Sequence, residues 1–136
     1  MKKGGKFLGK GSYGCVFDPP LLCDKKLERE KGVGKLFQEK SDAIEEKIFS
    51  KIIEKIDPNQ KFSIYSKNLC NVKYEDIEKS DEFKKCNHPR QKLYYQLHMK
   101  DKGIDLYEFM KNTNYNFLDY ITHLINLSEG LISFKN

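Results

Sequence analysis

Residues 4–20 read GGKFLGKGSYGCVFDPP, and the fold turns on how these glycines are used. Glycines let backbone amides come close to phosphate oxygens, and three designs compete for them. Gly4 to Lys10 nearly completes G-x-x-x-x-G-K-[ST], yet position 11 is Gly where that design needs a hydroxyl for magnesium. Met1, Lys2 and Lys3 are also a poor substitute for the buried strand from which such a loop hangs. Gly9, Gly11 and Gly14 fit G-x-G-x-x-G, but a dinucleotide site needs a helix to open directly after the loop. Here Cys15, Val16 and Phe17 favour a strand, and Pro19 with Pro20 prevents a helix from continuing. What remains is a glycine loop between two antiparallel strands, with Lys6 to Leu8 entering and Cys15 to Phe17 leaving.

The residues downstream extend this pattern. Lys35 stands in GVGKLF (residues 32–37), 21 residues past Gly14, in a short apolar stretch where a lysine is unusual unless paired. SDAIEEKIFSKIIEKIDP (residues 41–58) repeats Ile44, Ile48, Phe49, Ile52, Ile53 and Ile56 at helical spacing and ends at Asp57 before Pro58. Two glutamates on this helix can face Lys35. Glu45 lies in the middle of the isoleucine stripe, which favours it. Asp42 with Glu45 also forms a D-x-x-E capping box, which would tie Glu45 to the helix start and leave Glu46 for the lysine.

Gly9 to Val16 completes G-x-G-x-x-G-x-V. With a lysine and then an acidic helix following in order, the chain resembles the N-terminal lobe of a eukaryotic-type Ser/Thr protein kinase. It is similar in texture to divergent kinases of large DNA viruses, through GCVFDPPLLC and KIDPNQKF. The resemblance is strongest from Phe7 to Phe62. Val33 and Gly34 depart from the family's Val-Ala-Ile-Lys. The fold class implied is α+β, an antiparallel sheet with one long helix, followed by a hinge and the first helices of an incomplete C-terminal lobe. The resemblance implies ATP as cofactor, contacted by Leu8, Gly9, Lys10, Gly11, Ser12, Tyr13, Gly14, Cys15, Val16, Lys35 and Met99. Tyr13 would close the flap tip and Val16 would press on the adenine. Lys35, oriented by Glu45 or Glu46, would hold the phosphates. The family's His-Arg-Asp and Asp-Phe-Gly segments, with the magnesium ligands, are missing from the 136 residues. The expectation is therefore weak nucleotide binding, no catalysis alone, and a second chain to supply the C-terminal lobe.

FSIY (residues 62–65) is expected to be the fourth strand, and residues 66–92, polar and without steady period, an inserted surface excursion within a lobe spanning 1–97. KLYYQLHM (residues 92–99) alternates as a half-buried strand and leads to the hinge, with Leu97 at the gatekeeper position and His98 to Lys100 as adenine-binding backbone. After Gly103, Asp105 and Glu108 make a capping box for a short helix, with Ile104 stapled onto Phe109. A longer helix from Asn116 carries Phe117, Leu118, Ile121, Leu124, Ile125, Leu131 and Ile132 on a wide apolar face within residues 98–136.

The net charge of +5 comes from lysines mixed with acids, which lay down no single-sign stripe; a basic RNA-binding module is the weaker alternative, and nucleic acid is not expected. Cys15, Cys23, Cys70 and Cys86 form no C-x-x-C pair, and no signal-like or membrane-spanning run is seen. They are read as free thiols of a cytoplasmic, intracellular protein. Cys70, Cys86 and His88 lack a fourth zinc ligand and match no usual spacing.

Overall fold

The structure is a computed structural model that describes residues 5–23, 32–100, 110–111, 114 and 116–135. Strands β1 (Lys6–Lys10) and β2 (Gly14–Asp18) form the glycine hairpin. Next come β3 (Val33–Phe37), helix α1 (Lys40–Ile56), β4 (Ser66–Lys73), two short helices α2 (Tyr74–Ile77) and α3 (Asp81–Lys84), β5 (Leu93–Met99), and α4 (Phe117–Lys135). The strands make one antiparallel five-stranded sheet in the order β1-β2-β3-β5-β4. The α+β architecture expected from the sequence is thus present.

Because side chains alternate along a strand, the sheet sorts its residues onto two faces. One face carries Phe37, Leu97, Leu69 and Tyr95, with Ala43 of α1 packed against them. The other carries Cys15, Phe17, Leu36, Val72 and Tyr94, covered by Leu21, Ile77, Phe83 and Cys86. Segment 66–92 therefore departs from its expected role as a surface excursion. It supplies β4, which pairs along β5, and the two helices that close the second face. Residues 62–65, expected as the fourth strand, are irregular instead. They are held by Asp57, whose carboxylate accepts the backbone N–H groups of Lys61, Phe62 and Ser63 and the Ser63 hydroxyl at 2.7–2.9 Å.

Helix α1 also differs from its reading. It begins at Lys40 after Glu39, without a side-chain cap, so Asp42 sits inside the first turn and no Asp42–Glu45 capping box forms. Its buried residues are the small ones, Ala43 and Ser50. Small side chains let the helix come close, and the Ser50 and Ser66 hydroxyls meet at 2.7 Å, tying α1 to β4. The isoleucine stripe faces outward: Ile44, Ile48, Phe49, Ile52 and Ile56 are all exposed.

Helix α4 starts with a reciprocal cap: Asn116 Oδ1 accepts the Asp119 N–H at 3.0 Å, and Asp119 accepts the Asn116 N–H at 3.2 Å. Gly130 is buried against the Phe62 ring, and Phe117, Leu118, Leu124, Ile125, Leu131 and Ile132 are exposed, with Ile121 half-buried. Gly103, Ile104, Asp105, Glu108 and Phe109 lie outside the described residues. No described helix is long and apolar enough to cross a membrane.

Candidate functional site

Lys35 is the centre of the first face. On β3 it stands opposite Val16 of β2 and Leu97 of β5, so these three residues share one side of the sheet. Its ammonium lies 2.5 Å from Glu46 Oε2 on α1 and 4.9 Å from the centre of the Phe37 ring. The two side chains are 23% and 32% exposed, so the pair is open to solvent on one side and can exchange partners. A charge pair of this kind holds a lysine extended without sealing it away.

The glycines of the hairpin divide into two kinds. A Cβ at Gly14 would run into the carbonyl oxygen of Leu36, so Gly14 is required by close approach of β2 to β3. A Cβ at Gly9 would meet nothing within 4 Å, and one at Gly11 would meet only the Gly14 carbonyl oxygen at 3.9 Å. Neither residue has a positive φ. Protein packing and backbone conformation thus do not call for glycine at positions 9 and 11, whereas a ligand approaching the backbone would. The turn is closed by the Gly11 N–H donating to the Gly14 carbonyl at 2.8 Å. Ser12 and Tyr13 lie at its exposed tip, and Leu8 and Lys10 are exposed beside it.

Met99, at the end of β5, pairs with Val33 and Ser66 and is half-buried on the same side as Leu97 and Lys35. Lys35, Glu46, Val16, Leu97 and Met99 are therefore brought together with the glycine hairpin. Two expected residues are not. Glu45 is exposed and points away with the isoleucine stripe. Its place in the middle of that stripe, which had favoured it, is what removes it, because the stripe does not face the sheet. The Cys15 side chain is fully buried on the opposite face, leaving only its backbone near the hairpin. Phe37 beneath the lysine, and Ala43 and Ser50 that seat α1, were not singled out in the sequence. Small residues seven apart on one helix were the available signal.

The opposite face is closed by covalent links. Cys15 is bonded to Cys86 and Cys23 to Cys70, each with its Cα atoms 5.8 Å apart, and no cysteine is free. The reading of four free thiols is overturned, and with it the ground for inferring a reducing compartment. The partners are 71 and 47 residues apart, distances at which spacing carries no information about pairing. Burial, and after it the positive charge of Lys10, lower the His88 pKa below its usual value, against a raising hydrogen bond to the Leu36 backbone. A cleft of about 940 Å³ lined by Tyr74, Arg90, Lys92 and Leu93 lies at the far end of β5 from Met99 and is no part of the Lys35 site. No protein-family model matches the chain, and neither a curated protein nor a solved structure is found to be similar to it.

Proposed function

We propose that the chain is the ATP-binding portion of a Ser/Thr protein kinase, with Lys35 meeting the phosphates and Glu46 orienting it. The observation that carries this reading is the Lys35–Glu46 pair set opposite Val16, beside a hairpin whose Gly9 and Gly11 have no other reason to be glycine. The residues fit the ligand. Open space above Gly9 and Gly11 lets phosphate oxygens come close to the hairpin backbone, Lys35 supplies the cation, and Leu8, Val16 and Met99 offer apolar surface for a base. Bound ATP would supply the phosphoryl group. The chain's own part is to position it: the hairpin amides orient the phosphates, and Glu46 keeps the Lys35 ammonium aimed at them. The 136 residues contain no His-Arg-Asp and no Asp-Phe-Gly, so transfer to a protein hydroxyl and the holding of magnesium need groups from outside these residues. The test is titration with magnesium-ATP: saturable binding that Lys35→Ala weakens supports the reading, and equal binding by both chains refutes it.

A second reading, a noncatalytic kinase-derived interaction scaffold, is favoured by one observation. Both α1 and α4 carry wide exposed apolar faces, and patches of this kind mark contact surfaces. Under that reading adenine nucleotides do not bind, so the same titration separates the two.

A further inference from the structure

On the face away from Lys35, Cys23, Cys70 and His98 converge, their ligand atoms all within 4.8 Å of one another. We infer that this cluster, with its disulfide reduced, is a zinc site. Three observations carry the assignment, and they are independent of the nucleotide reading.

The first is distance. His98 Nε2 lies 3.3 Å from Cys70 Sγ and 3.6 Å from Cys23 Sγ. Tetrahedral zinc bonds of the usual lengths put a ligating nitrogen and sulfur about 3.5 Å apart. Only the two sulfurs have to move, parting to about 3.7 Å, and a Cα separation of 5.8 Å allows this by side-chain rotation. The second is the tautomer. The amide of Gln96 is fixed by the backbone: its oxygen accepts the Leu21 N–H, and its nitrogen donates to the Leu21 carbonyl, both at 2.9 Å. The same nitrogen lies 3.0 Å from His98 Nε2. A donor there requires a lone pair on Nε2, the tautomer in which imidazole binds a metal, and a bound ion would take that lone pair over from the amide. The third is the surroundings. Gln96 Nε2 is also 3.4 Å from Cys23 Sγ and 3.8 Å from Cys70 Sγ, so the N–H that His98 gives up on binding a metal is within reach of either thiolate. Gln96, His98 and Cys70 are buried while Cys23 is half-buried, which leaves the solvent side for a fourth ligand. The other cluster, Cys15, Cys86 and His88, has both sulfurs sealed among Phe17, Leu36 and Phe83 and offers no such side.

The chemistry balances with a dithiol as reductant. It is oxidised to its own disulfide, and Cys23 and Cys70 each gain one electron and one proton. The zinc ion then displaces both thiol protons to solvent, and the two thiolates neutralise its charge.

The experiment uses the full chain, reduced with a dithiol, freed of reductant under inert gas, and titrated with Co²⁺ and then Zn²⁺ alone. The expected result is one equivalent of Co²⁺ with thiolate-to-cobalt charge-transfer absorption, displaced by Zn²⁺. That equivalent is lost in Cys23→Ser and in His98→Gln, retained in His88→Gln, and absent from the oxidised chain, with circular dichroism showing each variant folded. Cys23→Ser, at a half-buried position, keeps the test open if the substitution at buried His98 unfolds the chain. A folded, reduced chain that binds no ion overturns the inference, as does an ion that survives Cys23→Ser or is lost in His88→Gln.

Discussion

The two faces of the sheet are built to different ends. The face away from Lys35 is dense: Cys15, Phe17, Leu36, Val72 and Tyr94 are fully buried, helices α2 and α3 close over them, and cysteines link it at Cys15–Cys86 and Cys23–Cys70. The Lys35 face is sparse. Its buried cluster is Phe37, Ala43 and Leu97, and its key charges are part-exposed. The dense core and the proposed nucleotide site are thus separated by one layer of backbone. A residue such as Cys15 joins both: its side chain is buried in the core while its backbone belongs to the glycine hairpin of the proposed site.

If this division is right, the largest losses of stability come from the dense face. Tyr94 is fully buried, meets the Phe83 ring edge-on at 5.5 Å and donates its hydroxyl to the Pro89 carbonyl. Tyr94→Ala should cost about 3–5 kcal/mol, read from the shift in a urea unfolding curve. A loss under about 1 kcal/mol would mean that this face is not the main core. Removing the Cys15–Cys86 bond by substituting both residues with Ala should cost about 2–4 kcal/mol, because it frees a 71-residue separation in the unfolded chain. The same denaturation measurement checks it.

Acid should act next, at the edge of α1. Four hydrogen bonds outweigh desolvation, which alone would raise it, and hold the Asp57 pKa down at about 2 from an ordinary 3.8. A depressed folded pKa gives stability that is complete above the unfolded value and is lost as pH falls from near 4 toward 2. Asp57→Asn should flatten that part of the stability profile, and an unchanged acid limb would contradict the role given to Asp57. The smallest effect is expected on the outward stripe of α1. Ile52 is 49% exposed, and Ile52→Gln should change stability by about 0.5 kcal/mol or less. A loss of several kcal/mol would show that the stripe is covered.

The same contrast marks what the sequence could reveal. The glycine hairpin, Lys35 and the helix carrying Glu46 were legible because each is a local pattern: residue types at fixed spacing, a strand triplet, a helical period. Which side of α1 meets the sheet was not, because periodicity defines a stripe without saying what lies opposite, and Ala43 and Ser50 win the sheet by being small. Segment 66–92 was missed for a related reason. Val72, Ile77 and Phe83 share no period within it, and their burial depends on Tyr94, Leu36 and Phe17 far along the chain. The cysteine pairs depend on the same long-range closure.

The central claim is that the sparse face binds the phosphates of a nucleotide through Lys35. Calorimetric titration of magnesium-ATP into the wild-type chain and into Lys35→Ala, with matching urea midpoints to show both folded, tests it most directly. Because Lys35 is part-exposed and its loss leaves the dense face untouched, the expected result is saturable binding by wild type, at least about tenfold weaker in the variant, with stability nearly unchanged. Equal affinity in the two folded chains, or no binding by wild type at millimolar nucleotide, would contradict the account.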